Sequence, residues 1–231
     1  MFFYGIDMWY IVLVLPAVIF SLIASAAVNS TFKKYSKVAS KRGITGADAA
    51  RAVLARNGVH DVRIEHVSGN LTDHFDPKSN VIRLSDSVYS SNSVAAVGVA
   101  AHEAGHAVQY AENYAPMQFR SAIIPVTNIG SNLSMPLILL GIVLGFPPLA
   151  YIGIAAFGLS TVFQLVTLPV EFNASRRAIN AIEGIAADES EVKGARKVLS
   201  AAAMTYVAAL AVSLANLLRL IMIVGGNRRR D

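Results

Sequence analysis

The sequence predicts a mainly α membrane protein, with about four transmembrane helices and a small α+β region on the cytoplasmic side. Two observations predict this class. Hydrophobic residues make up 54% of the 231 residues and charged residues only 15%, whereas soluble domains carry about 25% charged residues. The apolar residues are also concentrated in four long runs, and the polar sequence between them shows short strand and helix patterns.

The first apolar run, residues 8–28, is long enough to cross a bilayer as a helix. Lys33, Lys34 and Lys37 follow this run, and no basic residue precedes it. A cleaved signal peptide begins with basic residues and has a shorter apolar core. We therefore interpret the run as a transmembrane helix rather than a signal peptide.

Residues 29–120 are predicted to form the cytoplasmic α+β region. Apolar and polar residues alternate in 62–67 and 80–85, which predicts two strands. The turn-rich segment 73–79 lies between them and predicts that they pair as a β-hairpin. Residues 93–112 contain no proline and are predicted to form a helix.

The remaining apolar runs predict a transmembrane hairpin at 122–170, broken by Phe146-Pro147-Pro148, and a last helix at 201–224. The polar segment 171–200 between them is predicted to be helical and cytoplasmic. Most basic residues lie in 29–120 and 169–200, and the positive-inside rule places both stretches in the cytoplasm. Arg228-Arg229-Arg230 opposes a complete fourth span, so the last helix is either transmembrane or re-entrant.

Composition also restricts the chemistry. The chain has no cysteine, so a metal would need His, Asp or Glu ligands. The net charge is +5, but the basic residues flank apolar runs and form no stripe with interleaved aromatic residues. We therefore expect no nucleic-acid partner.

The central motif is His102-Glu103-Ala104-Gly105-His106, inside an otherwise uncharged and mostly apolar helix. Residues four apart lie on one helix face, so both imidazoles can reach one zinc ion. Glu103 borders that face and is placed as the general base of an HExxH site. The alternative is a helix that carries these residues by chance, but burying them without partners is costly.

A catalytic zinc needs a third protein ligand. The candidates in the sequence are His60, His66, Asp73, His74, Asp76 and Glu171. Glu171 is favoured because two spans after His106 return the chain to the same side of the bilayer. Its alternative role is a salt bridge with Arg176 or Arg177.

The segment 69–77 has two interpretations of equal weight. Its Asp, Asn and Pro residues are typical of a turn. It can also form the rim of the site, with His74 as a catalytic donor to the oxyanion or Asp73 as a hydrogen-bonding partner of a ligand.

The sequence resembles the YugP-like neutral zinc metallopeptidases, which are small bacterial membrane proteins, and more distantly the membrane gluzincins of the HtpX and Ste24 type. The resemblance covers nearly the whole chain and is carried by residues 71–77, 81–85, 100–109, 171–178 and 201–209. It implies a zincin-like fold and Glu171 as third ligand after a transmembrane hairpin. The chain differs from these relatives at Ser175 and Asn173, where acidic residues are common.

The resemblance and the motif together predict a multi-pass zinc endopeptidase of the bacterial inner (plasma) membrane, with Zn²⁺ held by His102, His106 and Glu171 and the active site facing the cytoplasm. Its expected partners are the lipid bilayer and a peptide or membrane-protein substrate, and the oligomeric state stays open. One alternative is a non-enzymatic scaffold with a structural zinc, although such sites favour four protein ligands. An intramembrane site-2-type protease is disfavoured because no span contains the required Asp.

Overall fold

The computed structural model describes residues 7–227. Its elements are a π-helical turn (Tyr10–Val14), α1 (Leu15–Tyr35), α2 (Gly46–Arg56), β1 (Arg63–Val67), β2 (His74–Asp76), β3 (Val81–Ser85), α3 (Val94–Ala111), α4 (Ala115–Val143), α5 (Pro147–Ile185) and α6 (Glu189–Asn227). The chain is mainly helical, with a small sheet of three strands. The basic tail Arg228–Arg230, which opposes a complete fourth span, lies outside the described residues.

Four helical segments in the described part of the chain are long and apolar enough to cross a membrane. They are Tyr10–Tyr35, Ala115–Val143, Pro147–Ile185 and Glu189–Gly225. Large apolar side chains on them are exposed, among them Leu22, Val126 and Ile152. Apolar surface of this extent indicates contact with lipid rather than with water.

The chain divides into two compact units. Among the described residues, the first contains 7–24, 119–168 and 205–227. Inside it, Ile138, Ala150, Ile154 and Val224 form a small buried cluster. In this unit Asp7, which precedes the π-helical turn, forms an ion pair with Arg219 of α6, with 2.6 Å between Oδ2 and Nη2.

The second unit contains residues 25–118 and 169–204. Its core combines α2, α3, β3 and the inner parts of α5 and α6. Helix α2 begins at a capping box, in which the Thr45 side chain accepts from the Asp48 backbone and Asp48 accepts from the Thr45 backbone. Val53, Ile82 and Ala104 are fully buried, so α2, β3 and α3 pack face to face.

The predicted pairing of the two strands is wrong. Strands β1 and β3 are parallel, and the antiparallel partner of β3 is β2, in the segment expected to form only the turn. The sheet order is β1-β3-β2. Parallel neighbours need a crossover connection rather than a tight turn. The hairpin is therefore β2–β3, and β1 lies on the other side of the central strand.

Candidate metal centre

The histidines of the central motif lie on one face of α3. Their ring centroids are 4.7 Å apart in an edge-to-face arrangement, as expected for residues four apart on a helix. The side chains of His102 and His106 are 14% and 10% exposed. Burial of two imidazoles in an alanine-rich helix is costly unless their nitrogens have partners.

Glu171 on α5 provides the shared partner. Its Oε2 lies 3.2 Å from Nε2 of His102 and 3.5 Å from Nε2 of His106. Two atoms bound to one tetrahedral zinc at about 2.0–2.1 Å are separated by about 3.3 Å. The arrangement therefore fits a zinc ion, and the three donor atoms lie within 4.8 Å of one another.

The close approach of α3 and α5 depends on Gly105. A Cβ atom at this position would lie 2.8 Å from the carbonyl oxygen of Ala174. Any larger residue would push the helices apart at the turn that separates His102 from His106. The glycine inside the motif thus places Glu171 within reach of both imidazoles.

Gln109 fixes the orientation of His106. Its Nε2 donates to the Val170 carbonyl at 2.8 Å and to Oδ1 of Asn173 at 2.9 Å. Its Oε1 therefore faces Nδ1 of His106, at 3.0 Å. A carboxamide oxygen only accepts, so His106 carries its proton on Nδ1 and leaves Nε2 free for a metal.

His102 has a different supporting partner. The Ser175 hydroxyl lies 3.2 Å from its Nδ1, so its Nε2 is also the nitrogen that faces Glu171. Here a serine hydroxyl, rather than a carboxylate, makes the contact with the imidazole. Gln109 was not among the predicted site residues, although its place three residues after His106 puts both on one helix face.

The electrostatics of the cluster favour a cation. Burial acts to lower the pKa of the His106 imidazole, but its hydrogen bond with Glu171 and the charge of Glu103 outweigh burial, so the pKa is raised. A site that attracts a proton onto a buried imidazole will also attract a divalent cation. Two nitrogens and one carboxylate oxygen form a donor set that zinc accepts.

Glu103 lies beside the three donors and contacts strand β2. Its Oε2 accepts a hydrogen bond from the Phe75 backbone N–H at 3.0 Å. Burial raises the pKa of the Glu103 carboxyl, although the charges of His106 and His102 act in the opposite direction. A carboxylate with a raised pKa is a better proton acceptor near neutral pH than a free one.

The segment 69–77 therefore borders the site through its backbone. Asp73 does not reach a histidine but accepts from the Ser85 backbone and hydroxyl, at 2.7 and 3.0 Å. Burial raises the pKa of this carboxyl. The His74 imidazole is exposed, and its Nδ1 pairs with the Thr72 carbonyl at 2.8 Å.

The other candidate ligands lie elsewhere. His60 is exposed, His66 pairs with Asp86 at 2.6 Å, and Asp76 pairs with Arg83 at 3.1 Å. Among residues 7–227, the group of donors able to hold a metal is His102, His106 and Glu171.

Replacing Gln109 with methionine is expected to weaken zinc binding about 10–100-fold, the usual effect of removing a partner of a ligating histidine. Methionine fills a similar volume but accepts no strong hydrogen bond. Zinc affinity is measured by competition with a chelator, and the His106 tautomer by ¹⁵N NMR of the zinc-free protein. Unchanged affinity in Gln109→Met would mean that the amide serves only packing.

A catalytic role of His74 stays a prediction. If its imidazole turns toward the substrate, His74→Ala should lower turnover about a hundredfold to a thousandfold with normal zinc content. If the residue only completes a turn, stability falls by about 0.5–2 kcal/mol and the folded fraction cleaves normally. Zinc content, melting temperature and cleavage measured on one preparation separate the two results.

Comparison with known proteins gives two matches. A family model described as "Putative neutral zinc metallopeptidase" matches residues 10–225. The curated protein "Putative membrane protease YugP" of Bacillus subtilis (strain 168) is 49% identical over 218 residues, which cover 94% of this chain and 96% of that protein. No solved structure matches the chain.

Proposed function

The chain belongs to the YugP-like family of neutral zinc metallopeptidases, and from that premise we propose that it is a zinc-dependent endopeptidase of the bacterial plasma membrane. The observation that carries the proposal is the convergence of His102, His106 and Glu171 beside Glu103. Three protein donors leave one position of a tetrahedral zinc open, as catalytic zinc sites require.

In the proposed mechanism, His102, His106 and Glu171 would hold the zinc ion, which would supply Lewis-acid activation of water and of the scissile carbonyl. Glu103 accepts the proton of the attacking water and passes it to the leaving amine. The Phe75 N–H holds the Glu103 carboxylate in place while it does so. Gln109 and Ser175 hold the two imidazoles with their Nε2 atoms toward Glu171.

The lengths of the helices support a site at the membrane face. From Pro147, α5 rises about 36 Å to Glu171 at about 1.5 Å per residue. The hydrocarbon core of a bilayer is about 30 Å thick. If α5 starts at one membrane–water interface, Glu171 lies just beyond the opposite interface. The loops of other membrane proteins are exposed at that same surface. Membrane proteins and membrane-proximal peptides are accordingly the proposed substrates.

The test is cleavage of a fluorescein-labelled unfolded polypeptide by the full chain in detergent micelles. We expect one zinc per chain, loss of cleavage after chelation with phenanthroline, and recovery on adding stoichiometric zinc. Cleavage that survives complete zinc removal would contradict the proposal.

The proposed topology places residues 29–120 and 171–200 in the cytoplasm, and the start of the first helix and the end of α6 on the opposite side. The ion pair between Asp7 and Arg219 supports this arrangement, because it holds the start of the first helix and the end of α6 at one level. A re-entrant α6 would return its end to the cytoplasmic side. We therefore favour α6 as a complete fourth span.

Cysteine labelling tests this topology, since the chain has no cysteine of its own. A membrane-impermeant maleimide applied to intact cells should label Pro147→Cys but label Asn57→Cys only after lysis. The labelling of Asn57→Cys after lysis serves as the control for reactivity. Labelling of both positions from the same side would remove the transmembrane hairpin.

A further inference from the structure

A basic groove lies in the second unit, between the end of α1 and the start of α6. Its volume is about 510 Å³, and no residue of the zinc site lines it. Its basic lining residues are Lys34, Lys193, Arg196 and Lys197. The hydroxyl groups of Thr31 and Ser200 complete the polar lining. This combination of cations and hydroxyl donors suits a phosphate group.

At the base of the groove, α1 and α6 are in close contact. The ring of Tyr35 lies against Gly194, where an added Cβ would come within 2.9 Å of Cε1. Tyr35 is half-buried and also packs against the core of the second unit. The two helices therefore approach closely here, and the basic side chains extend from backbone segments that are packed against each other.

The positive charge of the groove is only partly neutralised. Lys193 pairs with Glu189 at 3.0 Å and Arg196 with Glu183 at 3.3 Å, and all four side chains are exposed. For Lys34 and Lys197, no ion pair with a carboxylate occurs among residues 7–227. The groove lining itself contains no acidic residue.

The position of the groove along both helices matches the headgroup level of a bilayer. On α1, the exposed apolar residues Leu22 and Ile23 precede Thr31 by about 12 Å of helix. On α6, the apolar stretch begins at Ala201, directly after Ser200. Basic side chains at such positions reach the lipid phosphates while their stems cover apolar surface.

We propose that this groove binds the phosphate of an anionic phospholipid. The proposal depends on the membrane placement given above and not on peptidase activity. The bound lipid would hold the end of α1 against the start of α6, the helix that leads directly out of the second unit.

The experiment compares two pairs of substitutions with the same loss of charge. Lys34→Gln with Lys197→Gln removes the two groove cations that have no carboxylate partner among residues 7–227, and Lys33→Gln with Lys37→Gln removes two exposed lysines outside its lining. The full chain is placed in nanodiscs containing phosphatidylglycerol and phosphatidylcholine, and retained lipid is counted by native mass spectrometry. All substituted residues are exposed, and melting temperatures verify folding.

We expect the groove pair to weaken phosphatidylglycerol retention about tenfold or more, since each substitution removes a charge-assisted hydrogen bond to the phosphate, and one such bond contributes about tenfold. The control pair should change retention by less than about twofold. Equal losses in both pairs would assign the effect to diffuse surface charge and overturn the site. Binding of glycerol 3-phosphate in lipid-free detergent as tight as that of the lipid, and lost in the groove pair, would overturn the lipid assignment in favour of a soluble phosphate.

Discussion

Replacing Glu103 with glutamine is expected to lower peptide cleavage by about a hundredfold to ten-thousandfold while zinc stays at one per chain. The glutamine amide has the shape of the carboxylate and keeps an oxygen that accepts the Phe75 N–H. It cannot accept the proton of the attacking water. The loss is therefore chemical and should appear in kcat rather than in substrate binding.

The stability of this variant has a defined direction. Burial raises the pKa of Glu103 in the metal-free protein, so the ionised carboxylate costs stability as the pH rises through that raised value. The neutral glutamine removes this cost. Zinc-free Glu103→Gln should melt no lower than the zinc-free wild type at neutral pH, and any loss of cleavage then has no origin in unfolding.

Glu189→Gln is the matched control. It makes the same chemical change at an exposed residue that pairs with Lys193, and it should cleave normally. Cleavage by Glu103→Gln at the rate of this control would remove Glu103 from the mechanism. Equal inactivity of wild type, control and variant, all loaded with zinc, would favour the non-enzymatic scaffold with a structural zinc.

The sequence predicted those parts of the site that depend on local periodicity. The spacing of His102 and His106 requires only a helix, and α3 provides it. Glu171 is 69 residues from His102, yet it was a candidate because the predicted transmembrane hairpin would return the chain to its starting side. Helical spacing and the predicted hairpin are enough to bring these three residues together, and no particular side-chain contact had to be assumed.

The hydrogen bonds behind the ligands were not predictable in the same way. Gln109 and Ser175 reach the imidazoles only because α5 packs against α3 in one orientation about its own axis. The close contact between Gly105 and Ala174 sets that orientation. Helical periodicity places residues on a face but does not specify which face of the partner helix they meet. The sequence shows a serine at position 175 where the resemblance implied an acidic residue, but it does not show that Ser175 contacts His102.

The error in the sheet has a similar origin. Alternation of apolar residues defines the faces of a strand but not its neighbour. Strand β2 has only three residues and contains two polar ones, so its pattern resembles a turn. Its pairing with β3 brings the Phe75 N–H to Glu103, and the misread segment is therefore the part of the sheet that contacts the site.

Replacing any one of His102, His106 or Glu171 with alanine is expected to lower zinc affinity more than a hundredfold. Loss of a hydrogen-bond partner of a ligand typically costs about 10–100-fold, and loss of the ligand itself should cost more. Each of the three supplies one donor atom, and no other group of donors among residues 7–227 can take its place. Zinc content after dialysis against a weak chelator measures the loss directly. Glu183→Gln, on the same helix as Glu171 but exposed, should retain full zinc.

Thermal stability gives an independent reading of the same three residues. A ligand at a thousand times its Kd stabilises the folded state by about 4 kcal/mol, so zinc should raise the melting temperature of the wild type by several degrees. It should leave the three alanine variants almost unchanged, since they bind zinc weakly. Glu171 is 2% exposed, so a cation beside its carboxylate replaces stabilisation that water cannot supply there. Glu171→Ala with full zinc occupancy and a normal zinc-induced rise in melting temperature would remove Glu171 from the ligand set.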